Sequence, residues 1–331
     1  MNTVLLTGAN GFLGSHLARR LLDSGYAVRA FVRPSGNLEP LAGLPLDRWQ
    51  GDLRDADHVL AATYGCDFVI HAGALAQVNP ARSSAIWDVN VKGTENVLAA
   101  ARRVGVQRLV YVGTANVFGF GSKEAPGDET QPYMGTRYGL DYMDSKKKAT
   151  EQVLQAVRYG LQAVLVHPTF MLGPMDTKPT SNEMILALYR GQVPGYPPGG
   201  KNYVHVDDVA TAITNALTQG TVGESYILGN ENLSYREAFT LIADVVGVKP
   251  PRLPIPAFAS GVYAWLTEQK AAIDGYLAQV NRAMLRTAND EHYFSVAKAR
   301  AELSLPQTPV RQAVAEAFTW FGQNGYLTKS Q

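Results

Sequence analysis

Two groups of residues in this chain have the types and spacing for chemistry. Gly8, Gly11 and Gly14 recur at every third position just after the apolar run Val4-Leu5-Leu6, and Tyr142 stands four residues before Lys146. On a helix that spacing puts both side chains on one face, where a phenol and an ammonium can share a site. A phenol with an ordinary pKa of about 10 is protonated at neutral pH, and a nearby cation favours its ionised form, so the pair can shuttle a proton. Of the sixteen tyrosines, Tyr142 is the one with a lysine four residues on. Thr114, just past an apolar run ending at Gly113, adds a hydroxyl that can donate to a substrate oxygen or close a turn.

The glycines call for a strand before them and a helix after them. Val4 to Leu6 show no polar alternation, as expected of a strand buried on both faces. Phe12, Leu13, Leu17, Ala18, Leu21 and Leu22 recur at helical spacing, with Ser15, His16, Arg19 and Arg20 between them. The first N–H groups of such a helix lack intrahelical partners, and its dipole leaves partial positive charge there, so a pyrophosphate can satisfy both. Gly8 can take a left-handed turn, Gly11 lacks the Cβ that would hold a phosphate off the backbone, and Gly14 lets the helix pack closely. The spacing is one residue longer than the usual dinucleotide fingerprint.

Further along, strands are expected over residues 27–32, 68–74 and 108–113, a strand and a turn into a helix over 47–55, and a helix over 87–101. Alternating strands and helices imply a doubly wound parallel sheet with ligands at the carboxyl ends of its strands. After the second strand the place of a ribose-binding carboxylate holds Val32 and Arg33. A guanidinium there favours the 2′-phosphate of NADP over the free hydroxyl of NAD. Asp52 could cap the following helix or accept from an adenine amine, and His71 reads as structural. Lys147 and Lys148 read as a solvated face. From about residue 171 the alternation breaks. Residues 194–200 read as a substrate loop, 250–256 as an extended crossing, and 257–284 as a helical lid rich in Tyr263, Trp265, Tyr276 and Leu277, whose aromatics read as core more than substrate shelf. Asp207 and Asp208 are expected to cap an apolar helix.

Composition narrows the partners. Thirty basic against twenty-nine acidic residues make no field that would gather nucleic acid or an anionic membrane. The single cysteine, Cys66, excludes an intrachain disulfide and a cysteine metal cluster, and is expected to be buried and inert. Met1-Asn2 runs straight into the first strand and no long apolar run follows, so a soluble, cytoplasmic protein is expected, with neither metal nor nucleic acid.

Together Thr7 to Gly14, Thr114 and Tyr142 to Lys146 resemble the extended short-chain dehydrogenase/reductases, the NAD-dependent epimerase/dehydratase family. Further matching pieces are Gly51-Asp52-Leu53, Asn90-Val91-Lys92-Gly93-Thr94, Val117-Phe118-Gly119 and the segment from Tyr203 to Ala210. Within that family the chain looks most like dihydroflavonol-4-reductase-type reductases and hopanoid-associated sugar epimerases. The resemblance implies a Rossmann core over 1–170 and a mainly substrate-binding lobe over 171–331, with 201–230 and parts of the C-terminus returning to the core. By position it puts Gly8, Asn10, Gly11, Phe12 and Leu13 at a pyrophosphate and Arg33 at the 2′-phosphate. Asp52 and Leu53 would face the adenine, and Ala72, Gly73 and Ala74 the ribose. It implies Thr114 as the group polarising the substrate oxygen, Tyr142 as acid or base, and Lys146 on the nicotinamide ribose. Pro168 and Thr169 would approach the nicotinamide amide, and a homodimer would pair through the helix carrying Tyr142.

Two departures bear on the substrate. Sugar-nucleotide epimerases carry an arginine just before the Tyr-Val-His-Val segment, where this chain has Lys201, and the dehydratase Asp-Glu pair is replaced by Ala115-Asn116. The expected activity is therefore carbonyl reduction or alcohol oxidation on a small non-nucleotide compound. An NAD-dependent sugar or sugar-nucleotide epimerase is the enzymatic alternative, and a dinucleotide-sensing regulator the non-enzymatic one.

Overall fold

The computed structural model describes residues 1–257 and 282–327, so most of the expected helical lid, including Tyr263, Trp265, Tyr276 and Leu277, lies outside the described residues. The first six strands are β1 (Thr3–Thr7), β2 (Ala27–Val32), β3 (Asp47–Gln50), β4 (Phe68–His71), β5 (Arg108–Val112) and β6 (Ala163–Pro168). Then come the short β7 (Phe170–Leu172), β8 (Gly195–Tyr196) and β9 (Gly200–His205), and after them β10 (Ser225–Leu228). β1 to β6 and β10 form a seven-stranded sheet in the order β3-β2-β1-β4-β5-β6-β10, with every pairing parallel. The chain builds outward one way from β1 and the other way from β4. Between these two strands lies the switch point at which such sheets take their ligands.

Period-two alternation explains the two-layer core. Val4 and Leu6 pack with Val28, Ile70, Val110, Val112, Val164 and Val166 on one face of the sheet. Leu5 packs with Phe31, Val69, Leu109, Tyr111 and Leu165 on the other. The first face is covered by α1 (Phe12–Asp23) and α7 (Val206–Asn215), and the second by α2 (Ala56–Thr63), α4 (Gly93–Val104) and α5 (Asp141–Arg158). No strand in the middle of the sheet has a wet face, so none shows polar alternation. Edge strand β3 is largely exposed. Residues Val204 to Leu228 and Phe294 to Leu305 contribute to the first layer.

A third apolar cluster joins β7 and β9 to α6 (Glu183–Tyr189), α8 (Tyr235–Val246) and α9 (Val310–Gln323). There β9 lies between β11 (Glu231–Ser234), antiparallel, and β13 (Glu291–His292), parallel. The expected loop over 194–200 carries β8, which pairs in parallel with β12 (Leu253–Pro254) from the extended proline segment.

Several local expectations are corrected. Asp52 does not cap α2: Asp55 does, accepting from the N–H groups of Asp57 and His58. Asp207 and Asp208 do not cap α7 either, because His205 fills that position and its Nδ1 accepts from Asp207 N. The carboxylates have longer-range partners. Asp207 Oδ1 meets His16 Nδ1 at 2.5 Å, and Asp208 accepts from the N–H and hydroxyl of Thr308. His16 is therefore buried against α7, and Ser15, which donates to Phe12 O, is buried as well, although both interrupt the apolar stripe of α1. The helix expected over 87–101 begins earlier, at α3 (Ser84–Trp87), and passes through a π turn, Asp88–Lys92, into α4. Cys66 is buried, and burial raises the pKa of its thiol.

Candidate active site

The glycine turn is shaped by clashes that any side chain would cause. Gly8 sits at φ 70°, and a Cβ there would lie 2.7 Å from Gly73 Cα. A Cβ on Gly14 would come within 2.0 Å of Gly8 O, so this glycine lets α1 pack on the turn itself, not on β1. Gly11 differs. It is exposed, and the nearest atom to its Cβ position, Gly8 O, is 3.3 Å away. Gly11 is also the N-cap of α1, with no side-chain cap and no acidic residue in the first turn. The free N–H groups and the open space above Gly11 fit a pyrophosphate. Leu13 is buried behind the turn and Phe12 half-buried. Asn10 donates from Nδ2 to Asn37 O at 2.9 Å, tying the turn to the loop after β2.

In that loop Arg33 is exposed. Asp52, at the end of β3, is held by Arg54 through a two-pronged pair with contacts of 2.6 and 3.0 Å. That hydrogen bonding takes the Asp52 carboxyl down to about 2, with Arg33 a further, smaller cause. Leu53 is wedged against Gly73 and Gly93, whose Cβ positions would lie 2.8 and 3.0 Å from it. Ala72, Gly73 and Ala74 follow β4, and Ala74 is exposed.

His71 is structural. Its Nδ1 lies 2.8 Å from Thr7 Oγ1, which accepts from Gly73 N, and its Nε2 lies 3.0 Å from Thr94 Oγ1, which donates to Asn90 O. Burial, aided by the charge of Lys146, lowers its pKa to about 3. The neutral ring thus bridges β1, β4 and the π turn. From that turn Asn90 donates to Ser145 Oγ at 3.0 Å and accepts from Leu75 N at 2.7 Å, joining α5 to the segment after Ala74.

α5 meets the end of β5 through both of the spaced residues. Lys146 is buried, donates from Nζ to Val112 O at 2.7 Å and lies 4.5 Å from the centre of the Tyr111 ring. Desolvation lowers its pKa to about 7. Tyr142, one turn earlier, has its pKa raised by burial, and a hydrogen bond with the Thr114 side chain partly offsets that rise. Thr114 is buried and accepts from Asn116 N at 3.4 Å, opening a short 3-10 turn. Thr114, Tyr142 and Lys146 therefore converge at one carboxyl end of the sheet.

Thr114 also lines a cleft of about 50 Å³, together with Ala115, Asn116, Pro168, Thr169, Phe170, Lys201, Asn202, His292 and Phe294. Pro168 ends β6, and Thr169 donates to Asn202 Oδ1 at 2.8 Å. His292 and Phe294 were not legible as cleft residues, because they arrive by pairing of β13 with a strand some ninety positions earlier and carry no local motif. His292 stacks on Phe120 with ring centres 4.1 Å apart, and its Nε2 lies 3.2 Å from the Tyr138 hydroxyl, which donates to Asp290 at 2.5 Å. His167 is equally hidden in the sequence. Its Nδ1 lies 2.3 Å from where a Cβ on Gly113 would sit, and burial takes its pKa down to about 3.

Sheet order, glycine turn and helix-borne tyrosine and lysine define a nicotinamide-dinucleotide oxidoreductase fold. Residues 4–229 match the NAD dependent epimerase/dehydratase family, and the chain belongs to it. Over 327 residues it is 34% identical to a putative dihydroflavonol 4-reductase of Synechocystis sp., covering 97% of this chain and 95% of that protein. It is 30% identical to a 2-alkyl-3-oxoalkanoate reductase of Shewanella oneidensis, over 90% of this chain and 80% of the relative. The crystal structure of gox2253 superimposes with a TM-score of 0.87 at 35% identity, over 99% of this chain and 100% of the other. No helix among the described residues is long and apolar enough to cross a membrane.

Proposed function

We propose that this protein is an NADP(H)-dependent oxidoreductase that reduces the carbonyl of a small non-nucleotide substrate, or oxidises the corresponding alcohol. The observation that carries this reading is the convergence of Thr114, Tyr142 and Lys146 at the end of β5. Reductases among the relatives support the reaction class.

Residues 1–170 are read as the dinucleotide-binding part and 171–331 as mainly the substrate side. The turn Gly8, Asn10, Gly11, Phe12 and Leu13 would hold the pyrophosphate and Arg33 the 2′-phosphate. Asp52 and Leu53 would lie at the adenine, Ala72 to Ala74 at the ribose, and Pro168 and Thr169 at the nicotinamide amide. When bound, the dinucleotide supplies or takes up a hydride. Thr114 donates to the substrate oxygen. Tyr142, which burial keeps protonated, hands its proton to that oxygen in reduction and recovers it in oxidation. Lys146 would bind the ribose hydroxyls, and its charge would favour the phenolate left behind.

The reading is tested by NADPH oxidation with an aldehyde and ketone panel. Tyr142→Phe is expected to lower kcat by about 10²–10⁴ while leaving the NADPH dissociation constant unchanged; unaltered turnover refutes the mechanism. Arg33→Asp is expected to invert the preference for NADPH over NADH. A ratio that stays put assigns the 2′-phosphate elsewhere. The protein is further read as a cytoplasmic homodimer paired through α5, which sedimentation at twice the chain mass checks.

A further inference from the structure

Lys201 sits in β9 and is held from both sides, opposite Leu233 of β11 and His292 of β13. Its backbone is therefore fixed by the sheet, and its side chain borders the cleft that Thr114 and Asn116 also line. The ammonium lies 5.1 Å from the centre of the Phe170 ring. Among the described residues lining the cleft it is the one that carries a formal charge, since burial holds His292 well below its ordinary pKa.

Little offsets the desolvation of this half-buried cation. Desolvation takes its pKa down to about 8, with no carboxylate among the described residues acting against it. Stacking on Phe170 returns only part of that cost, and an apolar side chain of the same length would pack there without the desolvation penalty. Neighbouring Asn202 has no spare capacity. Its Oδ1 accepts from Thr169 and Asn230, and its Nδ2 donates to Asn232 Oδ1 at 2.8 Å. One monodentate positive charge is thus left facing the cleft.

We propose that Lys201 binds a carboxylate of the substrate, so that the preferred compounds are oxo acids or the matching hydroxy acids. The carbonyl end of this proposal rests on the oxidoreductase reading of the cleft; the acid end rests on Lys201. A single ammonium matches a monoanion. A diphosphate would bring further negative charge with no second cation among the described lining residues to meet it.

Calorimetric titration of the full chain with hexanoate, hexanamide and UDP, each with NADP present, tests the assignment. Hexanoate is expected to bind about tenfold or more tightly than hexanamide. Lys201→Met is expected to abolish that preference while leaving hexanamide binding in place, and Lys201→Arg to keep most of it. Equal binding of acid and amide by the native protein, or a preference that survives Lys201→Met, overturns the proposal. So does UDP binding tighter than hexanoate that is lost in Lys201→Met, which would assign the ammonium to phosphate. NADPH oxidation with an oxo acid is read separately. Its absence alongside a hexanoate preference would refute the oxidoreductase reading and leave the carboxylate site standing.

Discussion

The two walls of the candidate site are built in opposite ways. On the dinucleotide side, seven consecutive residues from Gly8 to Gly14 supply backbone N–H groups, a left-handed turn and open space, and side chains matter mostly by being absent. On the substrate side, the cleft is assembled from four segments, 114–116, 168–170, 201–202 and 292–294, and the side chains carry its chemistry. A wall made of backbone is set mostly by local dihedral angles, with few distant contacts such as Gly8 on Gly73 and Asn10 to Asn37. One made of distant side chains depends on every strand pairing that brings them together.

The contrast can be broken most sharply at the glycines. Gly14→Ala places a methyl 2.0 Å from Gly8 O, where rigid backbone must move, and is expected to cost about 3 kcal/mol of stability and to abolish dinucleotide binding. Gly11→Ala meets its nearest atom only at 3.3 Å. At this N-cap it should cost the free protein about 0.5–1 kcal/mol, much less than Gly14→Ala, and weaken dinucleotide binding. If both variants behave alike in thermal melts and in calorimetry, the separation between a packing glycine and a phosphate-facing glycine is lost.

Lys146, which lies in neither wall, sharpens the comparison from beneath them on α5. Its folded pKa of about 7 lies below the ordinary lysine value of 10.5, so between those values the unfolded chain holds a proton that the folded chain has released. Stability therefore rises with pH across that window, and the cost of the buried charge is fully present below it. Lys146→Met is expected to stabilise the free protein by on the order of 1 kcal/mol at pH 6, with the gain vanishing by pH 10. It should remove turnover at the same time. Urea melts at the two pH values check this, and a loss of stability at pH 6 would show that the bond to Val112 O outweighs the desolvation.

The smallest effect concerns a carboxylate that the sequence misplaces. Asp55→Ala removes the acceptor for two N–H groups of α2 and is expected to cost about 1 kcal/mol. Asp52→Ala should cost less, since its partner Arg54 is exposed and the pair is screened by solvent. Equal melting temperatures for the two variants would contradict the capping assignment.

These cases also mark where sequence reading stops. Asp52 and Asp55 both precede a helical pattern by a few residues, and only the backbone conformation distinguishes the one that turns its carboxylate onto the helix end. Asp207 looks like a cap until α1 is seen beside α7, where His16 claims it. His16 in turn looks like a polar interruption of α1 until the same partner buries it.

Residue types and spacing by themselves determined the parallel sheet, through apolar runs without alternation, and the phosphate-type turn, through glycines that follow a strand and precede a helix. They also put Tyr142 and Lys146 on one helix face. Those features depend on contacts between neighbours in the chain, whose geometry is set by local dihedral angles and helical period. Tertiary structure alone decided that Lys146 reaches Val112, that Thr114 meets Tyr142, and that His292 and Lys201 border one cleft. The contacts that do so join segments some thirty to ninety residues apart, and strand pairing and core packing, not any local preference, bring them within reach.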